Sequence, residues 1–260
     1  MDILLLILIS FGASWLTFFS GFGLGTLLTP VFYLIFQDVV VAIAGTAVVH
    51  FLNNVFKFLL MRKSVNWKVL LPFGLAAVPA AFLGAYLLTQ FDNKDVHIAS
   101  YMIGDRTFDI LLLNVVYAAV LIAFALIELI PSWSLAFSKQ RLWVGGVISG
   151  FFGGLSGHQG ALRTAFLIKY NLPKEVFIAT GIVVALIVDV VRITVYSSKY
   201  ELHTLEDSWV YIVISLAAAL VGAITGRLLL KKIKMRALTT FISLVMILFG
   251  LALIGGFLNK

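Results

Sequence analysis

The chain has 260 residues, 62% of them apolar and only 12% charged, with a formal net charge of +7. A soluble domain carries about 25% charged and about 45–50% apolar residues, so this composition excludes an ordinary water-soluble fold. No Pro/Ser-rich linker or shift in composition divides the chain, which reads as one domain over 1–260. The positive charge sits mostly in short loops between apolar runs, as the positive-inside rule requires, and does not call for nucleic acid. Cysteine is absent, which removes disulfides and thiolate metal sites. No metal and no cofactor are expected.

The apolar runs cover 3–20, 26–36, 39–60, 69–89, 108–130, 142–168, 174–196, 208–230 and 238–258. Their unbroken apolar length predicts helices rather than barrel strands, which would alternate with period two. Met1-Asp2-Ile3 lacks the basic start of a cleaved signal peptide, so the first run is expected to be retained. It ends at a glycine cluster, Gly21-Phe22-Gly23-Leu24-Gly25. The run 39–60 carries His50, Asn53, Asn54 and Lys57, and the run 174–196 carries Asp189 and Arg192. Four loops are basic, near 62–68, 139–141, 169–174 and 231–236. They are predicted to face the cytoplasm from the inner membrane of the cell. The loops around Asp92–Arg106 and Lys199–Asp207 are acidic or mixed, and His97 and His203 in them read as solvated. Glu128 and Arg227, near the inner ends of their runs, read as snorkelling to the interface. Trp67, Trp133, Trp143 and Trp209 flank runs as interfacial anchors.

This sidedness poses a parity problem. The basic loops at 139–141 and 169–174 are separated by a single run of 27 residues, 142–168. One crossing would put them on opposite sides. The run is interrupted by Gly153-Gly154-Leu155-Ser156-Gly157-His158-Gln159-Gly160, leaving arms of about 10–14 residues that reach only mid-bilayer. A re-entrant helical hairpin with its tip at 156–160 resolves the parity. Backbone that leaves a helix at such depth must line protein or a water-filled cavity.

The chain also resembles itself at an offset of 135 residues. From Gly25/Gly160 to Lys57/Arg192, nine of 33 pairs are identical, against roughly three expected at this apolar content. Asn54 falls opposite Asp189. Each half then reads as a broken or re-entrant hairpin plus three spanning helices, with repeat 1 at about 1–131 and repeat 2 at about 132–260. Three crossings is an odd number, so the halves insert in opposite orientations and both termini lie outside. The expected fold class is an all-α membrane protein of two inverted repeats, with its site where interrupted helices meet.

Helices restart at Thr26 and Ala161, and helix N-termini present free N–H groups that suit an anion. The candidate substrate-binding residues are Gly23, Gly25, Thr26, His50, Asn54, Gly157, His158, Gln159, Gly160 and Arg163. Arg163 lies one turn past the break, where a guanidinium can hold an oxyanion bidentately; the alternative is that it snorkels toward Lys169. Asp189, Arg192 and Lys57 are candidates for ion coupling or for a fixed intramembrane pair. The amides of Asn53 and Asn54 can instead bridge helices. Thr26, Thr29 and Thr164 can cap helices or touch substrate. The expected partners are a small anion and the lipid bilayer, with a proton or Na+ as candidate coupling ion and a homo-oligomer as candidate assembly.

Several stretches resemble the sulfite exporter TauE/SafE family of membrane permeases. They are Gly21-Phe22-Gly23-Leu24-Gly25-Thr26-Leu27-Leu28-Thr29-Pro30 with Ala44-Gly45-Thr46, the short basic loop Lys63-Ser64-Val65-Asn66-Trp67, and Gly150 to Gly160 with Ala179-Thr180-Gly181. The resemblance implies a multi-pass carrier, usually an exporter, of sulfite, sulfonates or related organosulfur anions, with the glycine motifs forming the transport site. Leu24 and the His158-Gln159 and Arg163 positions depart from the family's pattern. Two other readings remain open on the residues alone. Gly154-Leu155-Ser156-Gly157 fits the short G-x-S-G pattern of an intramembrane serine protease, which would need His50 or His158 to reach Ser156. A metal or cation carrier is the other; Arg163 and the scarcity of intramembrane carboxylates oppose it.

Overall fold

A computed structural model describes residues 3–20, 24–90, 96–129, 141–199, 209–228 and 235–258, the side chains of 17–20, 199 and 235–239 excepted. The described chain forms ten α-helices and one β-hairpin. In order they are α1 (Ile3–Ser20), α2 (Leu24–Phe36), α3 (Val39–Met61), α4 (Trp67–Gln90), β1 (His97–Ile103) and β2 (Arg106–Leu111). There follow α5 (Leu112–Leu129), α6 (Leu142–Ser156), α7 (Gly160–Leu167), α8 (Lys174–Lys199), α9 (Trp209–Leu228) and α10 (Met235–Ile254). Five helices are long and apolar enough to cross a membrane: α3, α4, α5, α8 and α9. Trp67 and Trp209 begin α4 and α9, and Trp143 stands at the start of α6, all well exposed.

The distribution of polarity is inverted relative to a soluble protein. Leu75 is 70% exposed and Leu248 68%, whereas Asp189, Asn53 and Arg192 are at most 1% exposed. Apolar side chains on the outside and charge on the inside suit a lipid solvent. The largest apolar cluster joins α1, α2, α3, α5, α9 and α10 around Phe32, Ile43, Leu121 and Met246. A second cluster joins Leu70, Leu142, Phe166 and Val184, with Val65, Leu172 and Phe177 packed on it. It gathers the ends of α4, α6, α7 and α8, so the basic segments at 62–68, 141 and 169–174 come to one end of the bundle. The backbone N–H of Asn66 donates to the Thr180 hydroxyl across that end, at 3.0 Å. Lys139 and the loop at 231–234 lie outside the described residues.

The run 142–168 is broken where the glycine cluster predicts. The 15 residues of α6 extend about 22 Å, short of a hydrocarbon core of about 30 Å. After the break, α7 folds back along α6: a Cβ on Gly145 would meet the Phe166 ring, and one on Gly153 would meet Gln159.

The α6 shaft lies directly against α4. A Cβ added at Gly146, Gly150 or Gly154 would fall 2.1–2.5 Å from the carbonyl oxygens of Phe73, Ala77 and Ala81. Three glycines four residues apart form one smooth stripe, the small-residue contact by which helices associate in lipid. Helices α1 and α9 meet in a similar way, with Gly222 against the Phe11 carbonyl.

One element departs from the expected all-α fold. The mixed segment after α4, expected as a loop, holds the antiparallel pair β1–β2, and residues 108–111 are strand rather than the start of a helix. Ile103 pairs with Arg106 across the two-residue turn Gly104-Asp105. Gly104 has a φ of 60°, which suits the first position of a type II′ turn. Phe108 stacks on Tyr101 and meets Phe257 edge-on, tying the hairpin to the end of α10.

The packing predicts a graded response to added methyl groups. Gly150→Ala must push α6 off α4 and is expected to cost about 1–3 kcal/mol, seen as a lower midpoint in thermal unfolding of detergent-solubilised protein. Gly12→Ala, with open space around it, is expected to be neutral or slightly stabilising. Equal midpoints for both variants would count against a tight α4–α6 seam.

Candidate functional site

The α6–α7 break is shaped by named contacts. Gly157 takes a φ of 81°, and its N–H closes on the Gly153 carbonyl at 3.0 Å. A side chain would be strained in that left-handed conformation. It would also meet Arg192 Nη1 at 2.6 Å. The Ser149 hydroxyl donates to the Gln159 carbonyl at 3.1 Å, and the Tyr196 hydroxyl donates to the Gly154 carbonyl. The Tyr196 bond answers a carbonyl that the interrupted α6 cannot pair itself, whereas the Gln159 carbonyl also accepts from the Arg163 N–H at 3.0 Å as the first bond of α7.

The start of α2 comes to the same place. A Cβ on Gly25 would sit 3.9 Å from the Gly157 carbonyl oxygen and 3.9 Å from His50 Cδ2. A chamber lies between the two helix starts. Of the residues singled out in the sequence, Gly25, Thr26, His50, Gly157, His158, Gln159, Gly160 and Arg163 line it, joined by Ala161, Phe124 and Glu128. Gly23 lies outside the described residues. Thr29 turns away, its hydroxyl donating to the Gly25 carbonyl at 2.8 Å as a bond within α2.

Arg163 is 3% exposed and does not snorkel. Its guanidinium passes over Gly181 of α8, where a Cβ would lie 3.3 Å from Nε; the small residue gives it room. Gln159 is 2% exposed, and neither its Nε2 nor its Oε1 has a hydrogen-bond partner among the described residues. The His158 ring stacks on Phe124 at 5.8 Å, with Nδ1 3.1 Å from Ser156 Oγ. Its Nε2 is likewise buried without a partner among the described residues. Buried polar atoms are almost always satisfied, and three of the exceptions among the described residues, on Gln159 and His158, belong to residues that line this chamber.

Behind the chamber lies an ion cluster. Asp189 accepts from Arg192 Nε at 3.0 Å and from His50 Nδ1 at 2.6 Å, with Arg192 Nη2 in ion-pair contact at 2.8 Å. With Nδ1 donating, His50 Nε2 accepts from the Asn54 amide at 3.3 Å. Asn54 thus orients His50 rather than lining the chamber. The sister-helix partner of Asp189 is His50, where the sequence suggested Lys57 or Asn54. Lys57 is buried further along α3 and does not line the chamber. Asn53 bridges helices, accepting from the Ser14 hydroxyl at 3.2 Å.

Phe124 and Glu128 escape a reading of the sequence alone. They are four apart on α5 and therefore on one face, but an acid at the end of an apolar run looks like an interfacial residue. Instead Glu128 lines the chamber and accepts from the Ser243 hydroxyl at 3.3 Å. Ser156 is 3% exposed, lies outside the chamber lining, and donates to the Phe152 carbonyl at 3.1 Å.

Interrupted helices converging on a buried polar chamber, inside an apolar helical bundle, are the build of a multi-pass membrane transporter. The chain belongs to the sulfite exporter TauE/SafE family, whose profile matches residues 6–253. That family is one of transporters, not of enzymes, which sets aside the hydrolase suggested by Ser156. No curated protein and no solved structure matches the chain at a significant level.

The ion cluster makes a stability prediction. Asp189→Ala leaves Arg192 buried without its carboxylate and is expected to destabilise by about 3–5 kcal/mol, read as loss of the monodisperse species in size-exclusion chromatography with heating. Wild-type thermal behaviour in this variant would show that the pair contributes little.

Proposed function

We propose that the protein is a secondary transporter, working as an exporter, of a small anion such as sulfite, a sulfonate or a related organosulfur anion. The anion would sit between the two breaks, where α2 and α7 begin and Arg163 faces it. One observation carries this reading: a buried guanidinium shares the chamber wall with the unpartnered side-chain amide of Gln159 and with the starts of two helices. Donors and two helix N-termini around one space favour negative charge. They disfavour a metal or other cation as cargo.

Packing supports the inverted-repeat reading, with halves at about 1–131 and 132–260. Under the 135-residue offset α1 corresponds to α6 and α4 to α9. The observed neighbours exchange accordingly: α4 packs on α6 and α1 on α9, while α5 pairs with α10 and α3 with α8. A two-fold axis between the halves would produce that pattern. The gathering of three basic segments at one end supports a cytoplasmic face there, in the inner membrane, with both termini on the opposite side. The α6–α7 hairpin would then enter and leave from the cytoplasm.

Sulfite, thiosulfate, sulfate and small sulfonates can be ranked by the thermal stabilisation each gives the purified protein, since a ligand of the folded state raises its stability. In proteoliposomes, Arg163→Ala is expected to lower uptake of the best of these at least about tenfold, while Ser156→Ala stays near wild type. Undiminished uptake by the Arg163 variant would remove that residue from the site.

A further inference from the structure

Two carboxylates lie among the apolar helices around the chamber, and they are held differently. Asp189 is enclosed by His50 and Arg192 and does not line the chamber. Glu128 does, as the only carboxylate among the described residues that line it. Among the described residues no cation forms an ion pair with it; its contact is the Ser243 hydroxyl of α10, 3.3 Å from Oε2. A hydroxyl can donate to a carboxylate or accept from a carboxyl. It therefore suits Glu128 with or without a proton, which a lysine partner would not. The titratable and charged groups facing the same space are His50 from α3, His158 from the break and Arg163 from α7.

This arrangement puts a carboxylate and an anion site in one chamber walled largely by buried side chains. Like charges confined there repel far more than in water. Asp189 is already committed to two partners, so the repulsion is relieved at Glu128. We propose that Glu128 is a proton-binding site coupled to the anion site, an inference that rests on the anion reading above. An anion entering beside Arg163 draws one proton from water onto a Glu128 carboxylate oxygen, and that proton returns to water when the anion leaves. Linkage makes the effect reciprocal: the proton strengthens anion binding by the same factor that the anion strengthens proton binding.

The test measures protons taken up as the anion binds, on full-length purified protein in weak buffer with a pH-indicator dye. Methanesulfonate and thiosulfate serve as probes because neither titrates near neutrality, and sulfite is run alongside. Wild type is expected to take up about one proton per anion, and each unit of rising pH to weaken binding by up to about tenfold. Glu128→Gln should abolish the uptake and flatten the pH dependence; Glu128→Asp, which keeps a carboxyl, should restore part of both. Uptake that persists in Glu128→Gln and disappears in His158→Gln would overturn the assignment. Anion binding by wild type with no proton uptake would also overturn it, while leaving the anion reading intact. Failure of wild type to bind any of the three anions would sink both.

Discussion

Lipid supplies no hydrogen bonds, so a helix that stops inside it must have its loose ends answered by the protein itself. This constraint governs the region between α6 and α7. The Gly154 carbonyl is met by Tyr196 and the Gly153 carbonyl by the Gly157 N–H, while Ser149 ties α6 to the Gln159 carbonyl that opens α7. What stays open is the donor side. Gly25 and Thr26 near the start of α2 and Gly160 and Ala161 at the start of α7 line one shared space, with the unpartnered amide of Gln159 beside them.

The ion cluster of Asp189, Arg192 and His50 sits at the back of this arrangement. Burying such charges is expensive, and a buried pair is weak grounds for stability by itself. Its value here is positional. Arg192 lies against Gly157 and presses the turn into place, while Asp189 holds both Arg192 and His50 from one helix. That leaves Arg163 on the chamber wall as a second guanidinium, reached over Gly181. The division of labour depends on two small residues, one under each arginine.

Much of this can be read in the sequence, and the reasons for the rest are physical. Long apolar runs locate the helices within a few residues, because lipid imposes both length and composition. The break at 157–159 is visible because glycines gather inside a run too long for one span and too short for two. Arg163 is visible because charge is rare at such a place. The partner of Asp189 is not, since the offset sets Asn54 opposite it while the helix rotation brings His50 to it, one turn away. Glu128 is missed because distance from the end of a run does not reveal which face of α5 turns inward. The β1–β2 hairpin is missed because its alternation, with Tyr101 and Phe108 on one face, is short and merges into the apolar start of α5. The glycine stripe of α6 is present in the sequence as a four-residue spacing, but only the α4 carbonyls opposite give it meaning.

That stripe has a mechanical consequence. Where backbone rests directly on backbone, as α6 rests on α4, there are no flexible side chains to take up sliding, so the two helices travel as one welded body. The α1–α9 seam has a glycine of the same kind at Gly222. Rearrangement is thereby steered toward the softer boundaries, where rings meet rings: Phe124 on Phe152 and His158, and Tyr33 on Phe249. Beside the chamber the helices therefore meet through side chains that can change rotamer, whereas at the glycine seams they meet through backbone that cannot.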